Sequence, residues 1–108
     1  MELSELQKAI KKIDEFIVKK MGNFPYPNLI RCLKAQEELG EVADILIRME
    51  FGSRKGKMEV KTGKEKLGKE IVDVIVPLIA IAQFYDIELE PVFKKKFKQD
   101  IKRYQRVD

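Results

Sequence analysis

The chain has 108 residues, the length of one domain and enough to enclose a hydrophobic core. Apolar residues make up 44% and charged residues 37%, a composition typical of a folded protein with long solvated helical faces rather than a disordered one. Histidine is absent. This excludes an imidazole general base, Ser/His or Cys/His nucleophile pairs and histidine-ligated metal ions.

The single cysteine, Cys32, cannot form a disulfide within the chain and is expected to be a small core residue. The N-terminal sequence MELSELQKAI does not resemble a secretion signal. No apolar run approaches the roughly 18 residues of a membrane span. We therefore expect a soluble, cytoplasmic protein with no membrane partner.

The first half of the chain predicts two helices. Helix one is expected over residues 5–21 because apolar residues recur there at helical spacing, and Ser4 with Gln7 fits a capping box. Two prolines within residues 24–28 exclude a helix in this loop. Helix two is expected from Asn28, a candidate cap, to about residue 50.

The second half predicts two more helices after a Lys- and Gly-rich mobile connection or short ribbon over residues 52–66. Helix three is expected over residues 64–84 with a kink at Pro77, and helix four from about residue 88 to 104. The sequence thus predicts an all-α fold, a four-helix bundle of antiparallel helices forming one domain over residues 1–108.

Carboxylates recur at helical spacing in helices two and three. Glu38 and Glu41 are three positions apart in the sequence, as are Glu70 and Asp73, so each pair lies on one helical face. If the two faces meet, four negative charges repel one another unless a cation lies between them. Carboxylate oxygens suit Mg²⁺, which usually completes its ligand shell with substrate phosphates. The pattern therefore indicates a magnesium site for a polyphosphate ligand.

A simpler interpretation applies to part of this pattern. Glutamates on a charged helix, including Glu37, Glu38 and Glu41, commonly form a solvated face. Asp73 differs because it is the only polar residue between residues 71 and 82, and a buried carboxylate needs a partner. That partner is a metal ion or a lysine, with Lys34 and Lys69 as the candidates.

The acidic pattern resembles the signature of the all-α NTP pyrophosphatase superfamily, which includes MazG-like proteins, dimeric dUTPases, dCTP pyrophosphatases and phosphoribosyl-ATP pyrophosphatase. The signature EExxE stands here as residues 37–41, and ExxD as residues 70–73. Residues 83–90 resemble the turn into the last helix of the family. The segment KFKQDIKRY, residues 96–104, resembles its basic closing segment, with Asp100 at a position where the family usually has asparagine.

The resemblance implies hydrolysis of a nucleoside triphosphate between its α and β phosphates, by a homodimer or homotetramer, for nucleotide-pool house-cleaning. By position, Glu38, Glu41, Glu70 and Asp73 would hold Mg²⁺, for which Mn²⁺ could substitute. Glu37 and Glu38 are the candidate catalytic residues, and Glu37 would position or deprotonate the attacking water. The candidate substrate-binding residues are Lys34, Lys96, Asp100 and Arg103.

Two other functions remain open from the sequence. Residues 93–108 hold seven Lys and Arg residues against two aspartates, which is compatible with a basic nucleic-acid-binding module. The apolar surface of helices two and three exceeds what one small bundle can cover, which is compatible with a helical oligomer without catalysis. No recognisable nucleic-acid-binding motif accompanies the basic residues, so nucleic acid is the less expected partner.

Overall fold

The structure, a computed structural model, describes residues 1–52 and 56–106. Within these ranges the chain forms four helices and no strand, which confirms the all-α prediction. The helices are α1 (Leu3–Met21), α2 (Pro27–Glu50), α3 (Val60–Phe84) and α4 (Leu89–Tyr104).

The helix starts differ from the predicted ones. Helix α3 begins four residues early, so the predicted connection is shorter than expected, and residues 53–55 of it lie outside the described ranges. The predicted capping box is wrong, because Glu2 is the N-cap of α1 and Ser4 lies inside the helix. Asn28 is not the cap of α2 either. That position belongs to Tyr26, which has a left-handed backbone with φ 53° and ψ 53°.

The interface between α2 and α3 is the most extensive among the described helices. Gly63 of α3 allows this close approach, since a Cβ atom there would overlap the side chain of Met49 on α2. At the same end, the buried Met58 donates its backbone N–H to the carbonyl of Arg48 at 2.9 Å. This pairing places the acidic segment of α2 beside that of α3.

A small apolar core joins α1 to α3, centred on the buried side chains of Ile10, Ile79 and Ala80. Next to it, the amide of Gln7 donates to Gln83 Oε1 at 2.7 Å and to the carbonyl of Ile87 at 3.0 Å. The same amide accepts the backbone N–H of Leu89 at 3.3 Å. Gln7 therefore attaches the start of α4 to α1 and α3.

Much apolar surface lies outside this core. Helix α4 buries none of its described side chains, and Phe97 on it is 56% exposed. Phe16 on α1 and Leu33 on α2 are exposed to a similar degree. Cys32 is also exposed, so its expected place in the core is wrong. Among the described residues, no helix combines the length and apolar character needed to cross a membrane.

Candidate metal centre

Five carboxylates of α2 and α3 converge where the two helices face each other. Carboxylate oxygens of Glu38, Glu70 and Asp73 lie within 4.8 Å of one another. The same holds for Glu37, Glu38 and Glu41, so Glu38 belongs to both groups. The five acidic residues singled out in the sequence thus form one site, which we call the acidic cluster.

Burial within the acidic cluster is graded. Glu38 is only 8% exposed, while Glu70 and Asp73 are half-buried and Glu37 and Glu41 face solvent. The three-residue spacing on each helix turns one carboxylate pair toward the opposite helix. The cluster therefore has an enclosed floor, formed mainly by Glu38, and an open rim.

Lys34 is the cation that approaches the cluster. Its Nζ atom lies 3.0 Å from Glu38 Oε1, one turn further along α2, and 3.7 Å from Glu37 Oε2. The hydrogen bond with Lys34 is the main reason that the pKa of Glu38 is lowered, and Glu38 in turn raises the pKa of Lys34. Among the described residues, no ion pair joins Asp73 to Lys34 or Lys69.

Glu70 responds most strongly to the crowding of carboxylates. Hydrogen bonding with Glu38, then with Glu41, raises its pKa to about 7, and burial and the neighbouring negative charges act in the same direction. Its Oε2 atom is buried and accepts no hydrogen bond from an N–H or hydroxyl donor in the described part of the chain. Five carboxylates beside one lysine leave an excess of negative charge, which a divalent cation would reduce.

A cavity of about 430 Å³ opens beside the acidic cluster between α1, α2 and α3. Glu38, Asp73 and Lys34 line its acidic end. The apolar part of its wall is formed by Ile10, Ile13, Ile17, Val76, Pro77 and Ala80. Its volume and lining suit a small organic ligand with one charged end.

Two further charged residues line the cavity that the sequence reasoning did not select. Asp14 of α1 and Arg31 of α2 form an ion pair there, with Oδ2 and Nη2 2.5 Å apart. A signal for Asp14 exists in the sequence, since it lies on the apolar face of α1 between Ile10 and Ile17. Like Asp73, Asp14 is a carboxylate on an apolar helical face and needs a partner, which here is Arg31.

The candidate substrate-binding residues of α4 lie elsewhere. Lys96 pairs with Asp100 at 2.9 Å on the exposed surface of the helix, and this pairing raises the pKa of Lys96. The guanidinium carbon of Arg103 lies 6.0 Å from the ring centroid of Tyr104. None of the three lines the cavity beside the acidic cluster. A contact between α4 and substrate stays a prediction.

Comparison of the chain with protein-family models, with curated proteins and with solved structures finds no match. The function is therefore inferred from the site itself. Oxygen ligands around an anionic, partly enclosed space can hold a hard cation, and the adjoining cavity can hold an organic group attached to phosphates.

Proposed function

We propose that this chain is a Mg²⁺-dependent nucleoside triphosphate pyrophosphohydrolase, which converts a ribo- or deoxyribonucleoside triphosphate to the monophosphate and pyrophosphate. The observation that supports the proposal is the convergence of five carboxylates beside a cavity with apolar walls. The acidic pattern in the sequence resembles that of the all-α NTP pyrophosphatase superfamily, and the proposal includes membership of it.

Glu38, Glu41, Glu70 and Asp73 would hold the magnesium ion, with manganese as a possible substitute. The residues fit such an ion because their ligand atoms are carboxylate oxygens. In addition, the buried Oε2 of Glu70 accepts no hydrogen bond from an N–H or hydroxyl donor in the described part of the chain. When bound, the ion would neutralise charge on the phosphates and lower the pKa of a bound water.

The other residues of the site would bind and orient the substrate. Lys34, already beside Glu38 and Glu37, would donate to a phosphate oxygen. Glu37, exposed at the rim, would orient the attacking water and accept its proton. Water would bond to the α phosphorus while the bond to the bridging oxygen breaks and pyrophosphate leaves. House-cleaning of the nucleotide pool is the proposed role.

The proposal includes a homodimer or homotetramer in which α4 completes an antiparallel four-helix bundle. Large apolar side chains are exposed on all four helices, and burying them against further copies would stabilise the fold. In such an assembly Lys96, Asp100 and Arg103 would contact the substrate, as the resemblance implies.

The proposal is tested by pyrophosphate release from a panel of canonical and modified nucleoside triphosphates with Mg²⁺ or Mn²⁺. We expect release by the native chain and its loss in Glu38→Gln and Asp73→Asn, with folding checked by circular dichroism. Glu65→Gln is the matched control, because Glu65 is exposed on α3 outside the acidic cluster. Release that persists in both cluster variants would refute the site assignment.

A second candidate is a catalytically altered member of the superfamily that acts as a helical oligomer or binds nucleic acid. The observation in its favour is the exposed basic surface of α4, which includes Lys95, Lys98 and Lys102. Non-specific attraction of DNA to these lysines, through phosphate contacts alone, weakens steeply as salt increases and would not distinguish the two candidates. Tight, salt-tolerant and sequence-selective DNA binding, together with no pyrophosphate release, would favour this candidate.

A further inference from the structure

Three helices hold the guanidinium group of Arg31 in one position. Its Nη2 atom pairs with Asp14 of α1, and its Nη1 atom donates to Asn28 Oδ1 at 2.7 Å. The guanidinium carbon lies 5.7 Å from the ring centroid of Phe84 on α3. The Arg31 side chain is 14% exposed. The Asp14–Arg31 pair is therefore oriented before any ligand arrives.

The distance between the Asp14–Arg31 pair and the acidic cluster is close to the length of a nucleoside. The pair lines both the cavity beside the cluster and a neighbouring one of about 290 Å³ that includes Phe24 and Phe84. On α2, Arg31 precedes Glu38 by two helical turns, which separates them by roughly 10 Å along the axis. A nucleoside has about this length. A nucleotide with its phosphates at the cluster would extend its base along the apolar walls toward the pair.

The free hydrogen-bonding groups of the pair suit the edge of a base. Asp14 Oδ1 accepts no hydrogen bond from the described residues, and Arg31 has more N–H donors than its two bonds use. The pair thus offers a free hydrogen-bond acceptor on Asp14 beside free N–H donors on Arg31. Every nucleobase carries a donor and an acceptor side by side on its Watson–Crick edge.

We propose that the Asp14–Arg31 pair reads the Watson–Crick edge of the nucleobase and determines which nucleotides the site accepts. This inference rests on the proposed function, since it assumes that the phosphates lie at the acidic cluster. A pair that only clamps α1 to α2 is the competing explanation, and it predicts no effect on base selectivity.

The experiment measures binding of the four common deoxynucleoside 5′-monophosphates by isothermal titration calorimetry. The best-bound one is then compared with an uncharged analogue methylated on its Watson–Crick edge, at N3 of thymine, N1 of guanine, or twice at the exocyclic amine of adenine or cytosine. We expect the analogue to bind about ten- to a hundredfold more weakly, the usual discrimination from a paired base contact. Equal binding of the analogue, or no saturable binding of any monophosphate, would overturn the proposal.

Asp14→Asn is the informative variant. Its amide oxygen can keep the bond to Arg31, which leaves the amide N–H₂ facing the cavity in place of the acceptor. We expect it to lose most of the discrimination between the base and its methylated analogue. Glu5→Gln, the same loss of charge at an exposed position of α1, should retain it. Full discrimination in Asp14→Asn, whatever its melting temperature, would mean that the pair is only a clamp.

A second measurement on the native chain does not depend on the folding of a variant. The side-chain N–H signal of Arg31 in a nitrogen–proton NMR spectrum should shift with the best-bound monophosphate and not with deoxyribose 5-phosphate. An unchanged signal at saturation would contradict the proposal. Base-selective binding without pyrophosphate release would refute the proposed reaction while supporting the reading of the base.

Discussion

Glu70 retains its proton to a higher pH than an ordinary glutamate, because it shares hydrogen bonds with Glu38 and Glu41 in a crowded anionic site. Its pKa is about 7 in the folded chain, against an ordinary value of 4.5. Between these two pH values the folded chain binds more protons than the unfolded chain. The contribution of Glu70 to the free energy of unfolding therefore falls as pH rises through this window.

We predict that Glu70→Gln removes this dependence when no divalent cation is present. Urea denaturation of the native chain and of the variant should show a difference in unfolding free energy that changes between about pH 4.5 and pH 7. Glu38 affects the free energy of unfolding in the opposite direction and over a different pH range. Its lowered pKa gives stability that is lost only as pH falls below the ordinary glutamate value of 4.5.

Glu65→Gln, at an exposed position of the same helix, is the control and should keep the native pH dependence. A native chain whose stability is constant or rises from about pH 4.5 to pH 7, relative to Glu70→Gln, would contradict the assigned environment of Glu70.

The residues of the acidic cluster were predictable because their spacing fixes which helical face they share. Asp73 was also predictable from its apolar surroundings, and the structure places it in the cluster. The Asp14–Arg31 pair was not predicted. It joins residues 17 positions apart on different helices, and nothing in either local sequence specifies that contact.

At the scale of elements, Gln7 holds the start of α4 against α1 and α3. Its amide bonds to Gln83 and Ile87 and accepts the N–H of Leu89, the first residue of α4. The first N–H groups of a helix have no partner within the helix, so this contact supplies one of them. The attachment of α4 therefore depends on a side chain more than 70 residues earlier in the chain.

We predict that Gln7→Leu destabilises the chain by about 1–3 kcal/mol, the usual cost of leaving buried polar groups without partners. Denaturant unfolding measures the loss, and hydrogen exchange at the Leu89 amide should become faster. Gln36→Leu is the matched control, because Gln36 is exposed on α2. Equal effects of the two substitutions would show that Gln7 does not attach α4.

The helices were largely predictable, and their starts were not. Apolar residues at helical spacing located all four helices to within a few residues. The capping box failed because the Gln7 amide bonds to distant groups that the local sequence does not reveal. The early start of α3 was missed because Gly63 suggested a loop, whereas this glycine is needed where α3 packs against Met49.

At the scale of the whole molecule, the apolar surface exceeds what one copy covers. The ring centroids of Phe93 and Phe97 lie 5.5 Å apart on the exposed face of α4, and Ile101 and Tyr104 extend the same apolar stripe. Exposed apolar surface that is contiguous commonly marks an interface. The sequence indicated this excess on helices two and three, whereas large apolar side chains are exposed on all four helices, including α4.

We predict that the native chain self-associates and that Phe97→Glu shifts the assembly toward smaller species. Sedimentation velocity over a range of protein concentrations measures this. A charge in place of an apolar ring would be costly to bury in an interface. Lys98→Glu, on the same exposed helix, should change the assembly much less. A native chain that stays monomeric at every concentration would contradict the proposed oligomer.

We propose that α2 and α3 together form a site for a divalent cation. Isothermal titration calorimetry with Mn²⁺ and Mg²⁺ tests this most directly, with the native chain, Asp73→Asn and the control Glu65→Gln. We expect saturable binding to the native chain and to the control, and binding about tenfold or more weaker in Asp73→Asn. Equal affinity in all three proteins, or no binding to any of them, would contradict it.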